Sequence, residues 1–144
     1  MSSEQKHHEE LVNGFYSQLK QIFDSSEQAI YLYLDDIHKV CNKKFASLLG
    51  YSSPAEFAKI DNILEANVDK KSQQTLVSAY RAAMEKMVGS TISVKIKKNS
   101  GSTVDTTIIM VPVAYRGHLF ALHFVSESLF GARLDVRFCL DRLT

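Results

Sequence analysis

Tryptophan is absent from this chain, and cysteine and proline appear only twice each. Two cysteines cannot build a disulfide framework, and Cys41 and Cys139 stand at no metal-ligand spacing. They read as reduced thiols, which predicts a cytoplasmic protein. Charge of one sign is also missing: 17 basic against 16 acidic side chains leave a net charge of +1. No bulk field therefore favours nucleic acid or an anionic membrane surface. No apolar run approaches the roughly 18 residues of a membrane span. The polar opening MSSEQKHHEE lacks the apolar centre of a secretory signal. There is no nucleophile elbow, no phosphate-cradling glycine loop and no paired-carboxylate motif. Hydrolysis and phosphoryl transfer lose their usual signatures.

What is present is the composition of one ordinary globular domain. Its 144 residues are 45% apolar and 23% charged, enough to bury a core without staples.

The pattern over 7–24 is helical: Val12, Phe15, Leu19 and Ile22 alternate steps of three and four, flanked by Leu11 and Phe23. That stripe must be covered, either by the chain's own domain or by a second copy. Ser25-Ser26-Glu27 ends it. AIYLYL at 29–34 reads as a strand, Asp35-Asp36 as a turn and 37–41 as the returning strand of a hairpin. Asn42 is a helix cap before Phe45, Leu48 and Leu49, and Gly50 closes that helix. Ser53, Pro54 and Glu56 open another helical turn, with Phe57, Ile60, Ile63 and Leu64 as scattered apolar anchors. The longest helix is predicted over 69–87, capped by Asp69, striped by Leu76, Tyr80, Ala83, Met84 and Met87, and ended by Gly89. Three strands follow at 91–98, 103–115 and 118–125, joined by the loop 99–102 and by Arg116-Gly117. Pro112, having no N–H, marks an edge or a bulge. Residues 128–144 suit a strand or an exit helix equally. The expected division is an amphipathic helix at 1–24, a domain at 25–127 and an extension at 128–144.

This order, with its motifs, resembles the PAS domain. FDSSEQAIYLYLDD (23–36) is similar to the family's opening segment. VCNKKFASLLGYSSPAEF (40–57) resembles its signature of Asn, an aromatic three residues on, Gly-Tyr-Ser and an acidic residue. VKIKKNSGSTVDTTIIMVPVAYRGHLFALHFVSE (94–127) is similar to its closing meander. The resemblance implies an α+β fold, a five-stranded antiparallel sheet with helices packed on one face around a pocket, here with an added N-terminal amphipathic helix. It also implies a sensor or interaction module, often dimeric, that signals to an effector.

The family's cofactors find little support in these residues. Haem-binding members usually supply an axial His from the long helix, and 69–87 contains none; Met84 and Met87 there read as core filler. Light-sensing members carry a reactive Cys in an Asn-Cys-Arg-Phe-Leu-Gln-like run, which Cys41 before Asn42 does not match. Neither haem nor flavin is expected, and no cofactor is named. His7-His8-Glu9-Glu10 reads as a solvated helix end, so no metal is expected. Lys95, Lys97 and Lys98 read as a solvated strand face.

An apolar centre remains. Phe45, Leu49, Phe57, Tyr80, Met84, Phe120 and Leu122 are the candidate lining of a pocket for a small apolar ligand, or a plain core. In 103–115, Ile109, Val111 and Val113 oppose Ile108 and Met110; in 118–125, Leu119, Ala121 and Val125 oppose Phe120, Leu122 and Phe124. Sheets with one wet face alternate cleanly. These strands do not, so both faces are expected to be covered, with the N-terminal helix as cover. Val12, Phe15, Leu19, Ile22, Ile109 and Val111 are the candidate homodimer contacts. The leading expectation is a non-catalytic sensor and dimerisation module acting on a separate effector or within a longer protein. The alternatives are a small α+β enzyme, seeded by His123 and Tyr80, and a ligand-free adaptor.

Overall fold

The computed structural model of the protein describes residues 2–128. The expected extension, with Cys139, lies outside the described residues apart from Ser128.

Helix α1 (Ser3–Ser25) starts earlier than the apolar stripe alone predicts, because Ser2 builds a capping box. Its side chain accepts from the Gln5 N–H at 3.1 Å, and the Gln5 side chain accepts from the Ser2 N–H at 3.2 Å. Strands β1 (Ala29–Tyr33) and β2 (Lys39–Cys41) form the hairpin. Ile37, expected within β2, is left in the connecting loop. The reason is local: the Asp35 carboxylate accepts from the N–H groups of Ile37 (3.0 Å) and His38 (2.8 Å), which holds the chain in a turn. Lys39 braces the same loop. Its buried ammonium donates to the carbonyls of Asp36 and Ile60 and sits 5.5 Å from the centre of the Phe57 ring.

Four helices follow: α2 (Lys43–Leu49), α3 (Pro54–Ala58), α4 (Ile63–Asn67) and α5 (Gln73–Lys86). Gly50 closes α2 at φ +84°, a conformation that a side chain would strain. The single long helix expected over 69–87 is divided. Asp69 caps a 3₁₀ turn (Lys70–Ser72) rather than α5 itself. Met87, not Gly89, takes the left-handed position that ends α5. Gly89 instead allows a close approach of two strands, since a Cβ there would lie 3.1 Å from the Met110 carbonyl oxygen.

Strands β3 (Ser90–Lys97), β4 (Thr103–Tyr115) and β5 (His118–Glu127) complete a five-stranded sheet of order β2-β1-β5-β4-β3. All pairs are antiparallel. Arg116 and Gly117 both take positive φ between the paired Tyr115 and His118, as a two-residue primed turn requires. β3 stops at Ser90 opposite Met110. Pro112 thus lies where β4 has only β5 beside it, which agrees with the expected edge position.

Two apolar layers flank the sheet. Helices α2 to α5 cover one face, over Tyr31, Val94, Ile108, Met110, Ala121 and Val125. α1 covers the other, with Leu11, Val12 and Phe23 against Ile30, Leu32 and Phe120. The cover is the chain's own helix.

Candidate sensory cavity

Asn42 positions the site. Its Oδ1 accepts from the backbone N–H groups of Ile30 and Phe45, each at 3.0 Å. Its Nδ2 donates to the carbonyls of Gln28 (2.8 Å) and Phe23 (3.3 Å). Every bonding position of the amide is used, and the end of α1, the start of β1 and the start of α2 are tied to one buried side chain. That fixes Tyr31 beneath Phe45, their rings 4.5 Å apart and 24° from parallel.

On its other side Tyr31 is stacked by His123, its register partner on β5, at 3.8 Å and 11°. Phe57 closes the group edge-on to Phe45 (5.2 Å) and Tyr31 (5.7 Å). Beside this stack lies a cavity of about 80 Å³ between the sheet and helices α4 and α5. Tyr31, Tyr33, Tyr80, Met110 and His123 line it together with Ile63, Leu64, Leu76 and Val77. Tyr80 stands edge-on to Tyr33 at 5.5 Å, and the Tyr33 hydroxyl donates to Asp36 at 3.2 Å.

The polar walls are uncharged. Burial pushes the His123 imidazole down to about 3, against the pull of the Ala121 and Tyr31 carbonyls. Burial raises the phenols of Tyr31, Tyr33 and Tyr80, with Asp36 adding to the effect at Tyr33. Cys41 is buried and its thiol is pushed up to about 12, which suppresses the reactive thiolate. The volume is far below the roughly 300–1,000 Å³ of sites that hold drug-sized ligands or cofactors.

The predicted lining divides three ways. Tyr80 is in the wall, and Met84 packs at the margin of the same core. Phe45 and Leu49 lie deeper, against a void of about 10 Å³, while Phe57 is sealed completely. Phe120 and Leu122 require correction: they point to the opposite face and pack under α1. Side chains alternate along a strand, so Ala121 and His123 take the cavity side instead. Sequence reasoning misses Tyr31 and Tyr33; their shared parity with Ala29 in AIYLYL is the available signal.

The candidate dimer residues divide as well. Val12 is buried against the chain's own sheet. Phe15 stacks on Tyr115 at 4.6 Å and meets Phe120 edge-on at 5.1 Å, and Leu19 packs into the same layer. Ile22 and Ile109 stay exposed, at 54% and 42%, and Val111 is half-buried. His8, expected on a solvated helix end, instead docks on the β1–β2 loop, its Nδ1 3.3 Å from an Asp35 oxygen.

The sheet order and its two helical covers define a PAS-type fold. Residues 17–81 match the family model of the PAS domain. No curated protein matches the chain. Among solved structures, the PAS domain of a two-component sensor histidine kinase is 12% identical at TM-score 0.61, over 81% of this chain and 98% of that one. A PAS domain from Colwellia psychrerythraea is 20% identical at TM-score 0.63, over 79% and 97%. The LOV protein of Rhodobacter sphaeroides is 17% identical at TM-score 0.65, over 80% and 67%. The fold is that of PAS domains, and the stretch 17–81 that matches the family model lies within it. Among the described residues, no helix is long and apolar enough to cross a membrane.

Proposed function

We propose that the domain is a non-catalytic sensory and dimerisation module of an intracellular, cytoplasmic signalling system, and that its core takes a small uncharged ligand. The observation that carries this is the cavity of about 80 Å³ walled by Tyr31, Tyr33, Tyr80 and His123. A cavity of about 150 Å³ accommodates benzene, so the occupant here has few heavy atoms. Neutral phenols and a neutral imidazole offer hydrogen bonds without charge, which selects against ions. They also supply no matched acid and base, which argues against the small-enzyme alternative. Occupancy would bear on α5 and the centre of β5, and an effector protein would read the displacement.

The experiment is a thermal-shift screen of small uncharged molecules, with native and denaturing mass spectra of the purified protein. Val77→Phe fills the cavity from α5. The expected result is a set of stabilising molecules whose effect disappears in V77F while the variant stays folded. If no molecule stabilises the protein and none copurifies, the ligand reading fails and a closed-core adaptor replaces it.

A further inference from the structure

Away from the cavity, three separate elements bring histidines to one place. The first turns of α1 carry His7 and His8, the β1–β2 loop carries Asp35 and His38, and the β4–β5 hairpin carries His118. His8, Asp35 and His38 each offer a ligand atom, and these atoms all lie within 4.8 Å of one another. We propose that these three residues hold a divalent ion of the zinc class, with water in the fourth position, and that the ion clamps the start of α1 to the sheet.

The distances suit the chemistry. Zinc bonded tetrahedrally to nitrogen and oxygen at about 2.0–2.1 Å sets its ligand atoms roughly 3.3 Å apart, with ligating imidazole centres about 5 Å apart. His8 Nδ1 lies 3.3 Å from one Asp35 oxygen and His38 Nδ1 lies 2.7 Å from the other. The His8 ring centre is 5.5 Å from that of His38 and 5.7 Å from that of His118. The His38–Asp35 contact is a hydrogen bond in the metal-free protein, and zinc would take the place of its proton.

The surroundings also suit an ion. The N–H groups of Ile37 and His38 donate to Oδ1 of Asp35, which orients the carboxylate and leaves Oδ2 facing His8. The His38 side chain is 7% exposed, against 22% for His8 and 40% for Asp35, so the group is sheltered yet open on one side. Two imidazoles and one carboxylate select zinc-like ions over magnesium or calcium, which prefer all-oxygen shells. The site would place a metal input on the helix that covers the outer face, and it stands whether or not the cavity takes a ligand.

The test uses the full chain, stripped of metal and titrated with Zn²⁺ by calorimetry, with Mg²⁺ as the contrasting ion. His8→Ala sits on the surface of α1 and leaves the fold in place, checked by circular dichroism without metal. Asp35→Asn and His38→Ala alter the loop as well, so H8A is the deciding variant and His7→Ala its neighbour control. The expected result is a single equivalent of zinc, no response to magnesium, and affinity that falls about tenfold or more in H8A but not in H7A. Zinc should also slow amide exchange in the first half of α1. No saturable binding, binding unchanged in H8A, or equal loss in H7A would each overturn the proposal.

Discussion

The His123 imidazole lies flat on the Tyr31 ring, the two residues facing each other across β5 and β1 with both side chains nearly inaccessible to water. Burial favours the neutral histidine, which makes stability depend on acid. The unfolded chain binds a proton at this residue with a pKa near 6.5 and the folded chain only near about 3. Below pH 6.5 the unfolded state therefore holds more protons and gains on the folded state, by about 1.4 kcal/mol per pH unit at most. Stability should be full above pH 6.5 and fall steadily towards pH 3. His123→Phe keeps the flat ring and removes the proton site, so its urea midpoint should vary less across that range. A profile as steep as the parent's would show that another group sets the acid limit.

Asn42→Ala removes four buried hydrogen bonds at once and should cost about 3 kcal/mol, more than the roughly 1 kcal/mol of an ordinary helix cap. Urea unfolding measures it. A loss no larger than that of a surface cap would mean that water replaces the amide.

Phe15→Ala takes away the ring stacked on Tyr115 and set edge-on to Phe120. Because Phe15 is only half-buried, the expected cost is about 2 kcal/mol rather than the 3–5 kcal/mol of a fully buried phenylalanine. Dye binding to exposed apolar surface should rise as α1 loosens, whereas an unchanged melting temperature would show that α1 is not held by this contact.

The proposed homodimer has less surface to use than the helix stripe suggests, since Val12, Phe15 and Leu19 already serve the chain's own sheet. Ile22 and Ile109 are the exposed apolar side chains left from that set. Sedimentation velocity over a concentration series should show a dimer that Ile109→Glu weakens and Ile22→Glu weakens further. A monomer at every concentration would remove the dimer from the functional reading.

Much of this architecture is legible in the chain because local chemistry announces it. The cap that Asn42 gives α2, Gly50, the Asp35 turn and the alternation in β3 each act within a few residues of themselves. The cavity wall is less legible: IIMVPV and LFALHF are apolar on both faces, so composition does not reveal which parity faces which layer. For that reason the pattern alone puts Phe120 and Leu122 on the wrong side. Asp35 and His38 stand three residues apart, but the arrival of His8 beside them leaves no spacing signal, since it arises only when α1 folds back across the sheet.

The amide of Asn42 gives the two faces of the sheet a common fastening. One pair of its bonds reaches the carbonyls at the end of α1 and before β1, and the other the amides of β1 and α2. Any event that shifts α2 over the core strains the same side chain that holds the end of α1. Coupling of this kind is reciprocal: an event that displaces the end of α1 acts on the seat of α2 by the same free energy with which a shift of α2 acts on α1.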